Sequence, residues 1–308
     1  MGFGETKCSY GKPPWIFKGR DLLIALVFVP SALYQLHLVK AATVRACIPK
    51  DFRLVEAFGY TLGGFFLANY DDSPAGVFDE LVVIAGLVWS PPTSCAWAAK
   101  VLVNSDEACK HGRKCPLAGS RASKSSCERI TAVSRQPKSK NIGFLNVNGS
   151  SAAFCDSKDS MEVQVTEIKA SSVKDSCNVN LTTFMPESSG ELRGPTIKIS
   201  LPSFSGGTEY YPNLLKYSCR IECRVRAVHP AKVSGPSLMP MNETKQSSEI
   251  HTSNAKNHAT EEFVDKCNLL WESVMLSKPV LALEFSCMKM QVEAPVVVSN
   301  CKNSLATT

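Results

Sequence analysis

The sequence predicts a mainly β protein built on a closed or strongly curved antiparallel sheet, with only a few short helices. Short runs rich in Val, Ile, Phe, Tyr and Thr recur along the 308 residues, punctuated by Gly, Pro, Asn, Asp and Ser. Helical periodicity is confined to two short stretches. Many strands with few helices to cover them favour a sheet that covers itself by curling.

In chain order, strands are expected at Tyr34–Lys40, Tyr60–Ala68, Leu81–Trp89 and Trp97–Val103 in the first half. Later come Met161–Ile168, Cys177–Leu181, Thr196–Leu201, Leu214–Val228, Val280–Met288 and Gln291–Val298. The two helices are Ala41–Cys47, stopped before Pro49, and Glu261–Trp271. Asp71-Asp72-Ser73-Pro74-Ala75-Gly76 is a turn, because Asp, Pro and Gly each favour turn backbones. Lys110–Lys140, rich in Ser, Lys, Arg and Cys, reads as irregular, and Ser234–Glu262 as a solvated, disordered loop between strands. His229, His251 and His258, in and just before that loop, lack metal-ligand spacing, so no metal is expected. The length permits one large or two medium domains, and the continuous strand pattern favours a single domain over 1–308.

With 44% hydrophobic and 20% charged residues, the composition is that of an ordinary globular chain. A net charge of +6 is spread without a Lys/Arg run, which argues against a nucleic-acid partner and against a sequence-level anionic-membrane patch. Thirteen cysteines, an odd count with no CxxC, read as reduced thiols of the cytoplasm or the chloroplast stroma rather than of a secreted protein. Cys219 and Cys223, four apart in a strand, should point to one face. The apolar run Leu22–Val29 is shorter than the ~20 residues a membrane span needs, so no transmembrane helix is expected.

Within Phe52–Trp89 a single glutamate, Glu80, interrupts the apolar run from Phe78 to Trp89. Enclosed there, a carboxyl loses water, its pKa rises and it can handle protons. On an alternating strand with a wet face it would be an ordinary surface carboxylate. Phe65, Phe66 and Trp97 could line a pocket or simply fill the core. The P-loop, dinucleotide-binding glycine fingerprint, HExxH, GxSxG and EF-hand patterns do not occur, and no cofactor is expected.

Read together, Gly11–Trp15, Ser31–Lys40, Phe52–Trp89, Pro91–Trp97, Leu102–Ala108, Leu201–Gly206 and Met290–Pro295 resemble the plant neoxanthin-deficient family, within the acetoacetate-decarboxylase-like superfamily. The resemblance implies a curved antiparallel β-barrel around a ligand cavity. It also implies an accessory role in making neoxanthin, a xanthophyll upstream of abscisic acid. A small or isoprenoid-like ligand and carotenoid-pathway proteins are the partners it suggests. Arg20–Pro30 looks like an insertion between Gly19 and Ser31, and the pattern is lost over Cys115–Cys127.

The decarboxylase uses a lysine nucleophile beside a second lysine, because an amine attacks a carbonyl only when deprotonated. This chain has no Lys-Lys pair. Lys114, next to Arg113, and Lys124, in a Ser-rich stretch, are its weak local candidates. Glu80, in Phe78-Asp79-Glu80, matches an active-site glutamate of the superfamily. A retained carboxylate with a lost nucleophile implies a binding barrel rather than a decarboxylase. A lyase- or isomerase-type enzyme using Glu80, and a purely structural interaction protein, are the alternatives.

Overall fold

The computed structural model describes residues 11–19, 22–24, 27–29, 31–46, 48–109, 129–138, 160–169, 172–182, 194–206, 214–235 and 270–298. In chain order, its strands begin with β1 (Trp15–Gly19), β2 (Leu22–Ile24), β3 (Val27–Val29) and β4 (Ala32–Lys40), followed by helix α1 (Ala41–Arg45). Three long strands come next: β5 (Tyr60–Asp72), β6 (Phe78–Ser90) and β7 (Thr93–Val103). Then come β8 (Arg129–Lys138), β9 (Ser160–Lys169), β10 (Ser172–Thr182), β11 (Thr196–Ser200) and β12 (Ser203–Gly206). The last are β13 (Leu214–Tyr217), β14 (Cys219–Val228), β15 (Lys232–Ser234), β16 (Lys278–Val292) and β17 (Val296–Val298). Residues 106–109 and 270–275 are also helical.

Several boundaries differ from expectation for identifiable reasons. The stretch Leu214–Val228 is two strands, broken at Ser218, whereas Val280–Met288 merges with the start of Gln291–Val298 into the single β16. Strand β8 lies inside the segment expected to be irregular: its weak local pattern is overridden by a full antiparallel pairing with β9. The β5–β6 strands run on to Asp72 and from Phe78, confining the turn to 73–77. Ser73 closes it by donating through Oγ to Gly76 O (2.6 Å) and accepting from Ala75 N (3.0 Å). Residues 236–262 of the expected loop, and His251 and His258, lie outside the described residues, while His229 is exposed.

The main sheet has eleven strands in the order β11-β14-β16-β1-β5-β6-β7-β12-β13-β17, with β4 also pairing β16 and β5. Strands β11 and β12 are distant in this order yet only Leu201 and Pro202 separate them in the chain. Leu201 N donates to Cys219 O and Ala96 N to Pro202 O, both at 2.9 Å, so this short link joins β14 to β7. The sheet therefore curls round on itself. One departure from the antiparallel expectation is the parallel β7–β12 pair.

Curling gives the sheet two differently packed faces. Leu33, Phe65, Leu67, Leu81, Val83 and Trp97 join one core with Val163, Val165, Cys177 and Val179 of a four-stranded sheet, β15-β10-β9-β8. Phe66, Ala68, Tyr70, Phe78, Ile221 and Phe285 belong to a second core on the opposite face. Two polar residues of β4 tie the first core together. Gln35 accepts from Ala231 N (2.7 Å), and its Nε2 donates to Ala231 O (3.1 Å) and lies 2.9 Å from His37 Nε2. His37 Nδ1 meets Val274 O at 2.9 Å, so the network fits a neutral imidazole donating from Nδ1. Burial holds His37 below its ordinary pKa, which keeps it in that form.

Strands β1 and β4 occupy one slot between β5 and β16. Gly19 pairs with Tyr70, Ser31 O accepts from Asn69 N (2.9 Å), and Ala32 pairs with Ala68. The chain thus leaves the slot at Gly19 and re-enters it at the next register position. Gly19 is the residue the site demands, because a Cβ there would overlap Ser31. The excursion contains β2 and β3, which pair only with each other among the described residues. Opposite the join, Cys287 takes a left-handed φ of 52° where the β14–β16 register shifts. Removing 20–30 and bonding Gly19 to Ser31 should produce one uninterrupted strand. The expected melting temperature is within about 2 °C of the full chain, the shift that ~1 kcal/mol gives in a protein of this size. Loss of the cooperative transition on deletion would show that the excursion is integral to the fold.

Candidate functional site

Strand β6 positions Glu80. Strand alternation sends Leu81 and Val83 into the first core, and places Phe78, Glu80 and Val82 on the opposite face. Glu80 pairs with Ala68 of β5 and Val103 of β7, and Phe78 pairs with Tyr70. Tyr70 is therefore the diagonal neighbour of Glu80 on one face, within reach of a long side chain. Its hydroxyl donates to Glu80 Oε2 at 2.8 Å. The Tyr70 ring is fully buried, with ring centroids of Phe78 at 4.9 Å and Phe17 at 5.2 Å.

These surroundings set the electrostatics. Burial pushes the Glu80 carboxyl above its ordinary 4.5, and the Tyr70 hydrogen bond pulls partly the other way. Burial, then the adjacent Glu80 charge, raises Tyr70 well above its ordinary 10.0. The Cys219 thiol on β14 is pushed up to about 12, chiefly by burial and secondarily by Glu80. Cys219 is thus held as a neutral thiol and is no nucleophile at neutral pH. Cys219 and Cys223 both pack on this face, as their spacing predicts. Glu80 as a residue keeps partial exposure.

The face around Glu80 is apolar and opens in one direction. Val103, Glu80, Ala68, Ala32 and Phe285 form a cross-strand row. The next row is Val101, Val82, Phe66, Tyr34 and Leu283, followed by Ile84, Gly64, Leu36 and Leu281. Exposure grows along this direction, to 45% at Val101 and 39% at both Leu281 and Leu62. From Ala68 to Leu62 the face runs about 20 Å at ~3.3 Å per residue. Chemically it is an apolar strip with one hydrogen-bonded carboxylate at its covered end. It can hold a largely apolar molecule and meet one polar group of that molecule at Glu80.

The other sequence candidates fall elsewhere. Phe65 and Trp97 belong to the first core, across the sheet from Glu80, and only Phe66 shares its face. Lys114 and Lys124 lie outside the described residues. Lys18, on β1, is ion-paired to Asp72 at 2.6 Å, and that carboxylate raises its pKa, opposite to what an amine nucleophile requires. An open groove of about 520 Å³ beside this pair, lined by Lys12, Trp15, Lys18, Asp72 and Pro74, lies at the turn end of β5. Among the described residues no group of three or more His, Cys, Asp or Glu could hold a metal, and no helix is long and apolar enough to cross a membrane. Tyr70 was missed in the sequence because Asn69-Tyr70-Asp71-Asp72 reads as the approach to a turn. Pairing β5 and β6 across residues 73–77 would have set it opposite Phe78 and near Glu80.

Three comparisons bear on this chain. It is 56% identical over 308 residues to Protein NEOXANTHIN-DEFICIENT 1 of Solanum lycopersicum, covering 98% of this chain and 99% of the relative. It is 55% identical over 297 residues to the protein of the same name from Arabidopsis thaliana, covering 96% of each. The Oryza sativa subsp. japonica protein of that name is 47% identical over 298 residues, covering 94% and 91%. No family model matches. Among solved structures, the acetoacetate decarboxylase of Legionella pneumophila has a TM-score of 0.48 and 10% identity, covering 97% of this chain and 92% of that one. The enduracididine biosynthesis enzyme MppR with HEPES buffer bound has a TM-score of 0.47 and 10% identity, covering 96% and 91%.

The raised carboxyl pKa has a thermodynamic consequence. A folded-state pKa above the unfolded one contributes stability that is present below about pH 4.5 and lost as the pH rises through the folded value. At neutral pH the ionised Glu80 therefore weakens the fold. Glu80→Gln keeps an acceptor for Tyr70 without the charge, so it should melt higher than wild type at pH 7.5, with the gap closing near pH 4. A variant that melts lower at pH 7.5, or a gap that does not change with pH, would contradict the burial of this carboxyl.

Proposed function

The chain belongs to the NEOXANTHIN-DEFICIENT 1 family, and on that premise we propose that it is an accessory factor required for neoxanthin formation, upstream of abscisic acid. In this reading it holds a small or isoprenoid-like ligand along the apolar face that ends at Glu80. The observation that carries the proposal is the placement of Glu80: one carboxyl, raised in pKa by burial and hydrogen-bonded by Tyr70, on a residue that keeps partial exposure. Structural cores rarely keep such a group, because an ionisable side chain costs stability, and among the described residues no ion pair offsets that cost at Glu80. Its retention points to a ligand that uses it.

Schiff-base decarboxylation is not part of this proposal. An amine nucleophile needs its pKa lowered by desolvation or a neighbouring cation; Lys114 has Arg113 beside it but no apolar run, and neither Lys114 nor Lys124 has both an apolar run and a paired lysine. A second reading, that Glu80 is the acid or base of a lyase- or isomerase-type reaction, is favoured by its raised pKa. Both readings require the Glu80 proton or charge; a purely structural role requires neither.

Complementation separates them. In a neoxanthin-deficient plant line lacking the native protein, wild type should restore neoxanthin. Glu80→Gln, at matched protein level, should restore roughly a tenth or less, the loss typical of one removed acid–base or charged contact. Full rescue by Glu80→Gln would sink both the ligand-carboxylate and the acid–base readings, and would leave a scaffold role.

A further inference from the structure

We infer that the turn at Ala57–Tyr60 is a membrane-docking tip that seats Phe58 in the interface of an anionic lipid surface. Ala57 and Tyr60 exchange both backbone hydrogen bonds at 2.9 Å, enclosing Phe58 and Gly59 as a two-residue hairpin loop. Phe58 has φ 52° and Gly59 φ 79°, the two positive angles of a type I′ turn. Gly suits its place, since no Cβ opposes the left-handed backbone. Phe does not: Asn or Asp is favoured there, and a bulky residue at positive φ is an outlier. Strain of this kind persists where it serves a function.

Nothing inside the fold compensates for it. Phe58 is 102% exposed, so its ring has no packing partner. It is the summit of an apolar patch. Val55 N donates to Leu87 O and Trp89 N to Arg53 O, both at 2.8 Å, laying residues 53–55 beside 87–89. Val55, Tyr60 and Trp89 are 39%, 41% and 46% exposed. Lys40, paired with Tyr60 across the sheet, and Arg45, Lys50 and Arg53 are exposed at the same end, against Asp51 and Glu56 as the acids. Four basic groups against two acidic ones give the tip a positive excess, with Arg45 ion-paired to Glu56.

Protruding Phe, Tyr and Trp rings above a basic collar match the chemistry of a bilayer interface, where amphipathic rings sit at headgroup depth and cations meet anionic lipid. A protein partner fits less well. A specific interface buries ~800 Å² per side, more than one projecting ring flanked by half-exposed Val55, Tyr60 and Trp89 offers. The inference is independent of any ligand at Glu80, which lies elsewhere on the sheet.

The test uses the purified full chain with vesicles of phosphatidylcholine alone, or of phosphatidylcholine with a minority of phosphatidylglycerol. Wild type should co-sediment with the anionic vesicles, and less so as salt is raised. Phe58→Asn should melt at the same temperature or higher, because Asn tolerates the left-handed turn, yet bind roughly tenfold more weakly, the scale of losing one buried aromatic side chain. Phe58→Trp should retain binding. Equal binding by wild type and Phe58→Asn, or no binding by wild type, would overturn the inference. So would concentration-dependent self-association that Phe58→Asn abolishes while vesicles capture neither protein, because the tip would then serve a second copy of the chain.

Discussion

Strand β6 is packed on both faces, and the organisation of the molecule follows from that constraint. On one side Leu81, Val83, Ala85 and Val88 meet the core shared with the four-stranded sheet. On the other Phe78 and Val82 meet the core enclosed by the curl of the main sheet. A strand covered on both sides reads as a continuous apolar run rather than an alternating one, which is why Phe78–Trp89 is so apolar and why Glu80 stands out. The curl depends on the same feature. Leu201 and Pro202 bridge β14 to β7, bringing Cys219 and Ile221 over the face that carries Tyr70 and Glu80. The carboxyl is thus dried by a neighbour remote in sequence, and among the described residues its polar contact comes from the adjacent strand.

Much of this was legible in the sequence. The strands β5, β6 and β7 announced themselves through β-branched and aromatic runs separated by strong turn chemistry, and Glu80 was conspicuous within them. What stayed hidden required knowledge of pairing. Tyr70 looked like part of a turn until β5 was seen to extend to Asp72. Gln35 and His37 clamp Ala231 and Val274, far away in the sequence, which no local pattern at β4 signals. Strand β8 has too little local pattern to be seen without β9. Trp97 could not be assigned a face, because a bulge between Val83 and Gly86 shifts the β6–β7 register.

Two local features depart from what the backbone alone would choose. At Gly19 and Ser31 the chain leaves and rejoins one strand slot without losing register, so the main sheet is built as though residues 20–30 were not there. At Phe58 an aromatic ring takes a backbone position suited to Asn or Gly and projects into solvent. The first lies between β5 and β16, where close packing against Ser31 and Met288 demands glycine, and the second at an exposed turn where no packing dictates the residue. Local disagreement with a globally consistent fold is a recurring mark of functional or recently altered segments.

The central claim is that Glu80 is a carboxyl dried by the curled sheet and kept reachable for a ligand. Its own titration, followed through the side-chain carboxyl resonance of 13C-labelled protein and assigned by comparison with Glu80→Gln, tests this most directly. The account predicts a midpoint above the ordinary 4.5, with burial outweighing the Tyr70 hydrogen bond. A midpoint at or below 4.5 would place Glu80 in water or in a fully charge-stabilised pocket, and would contradict the account.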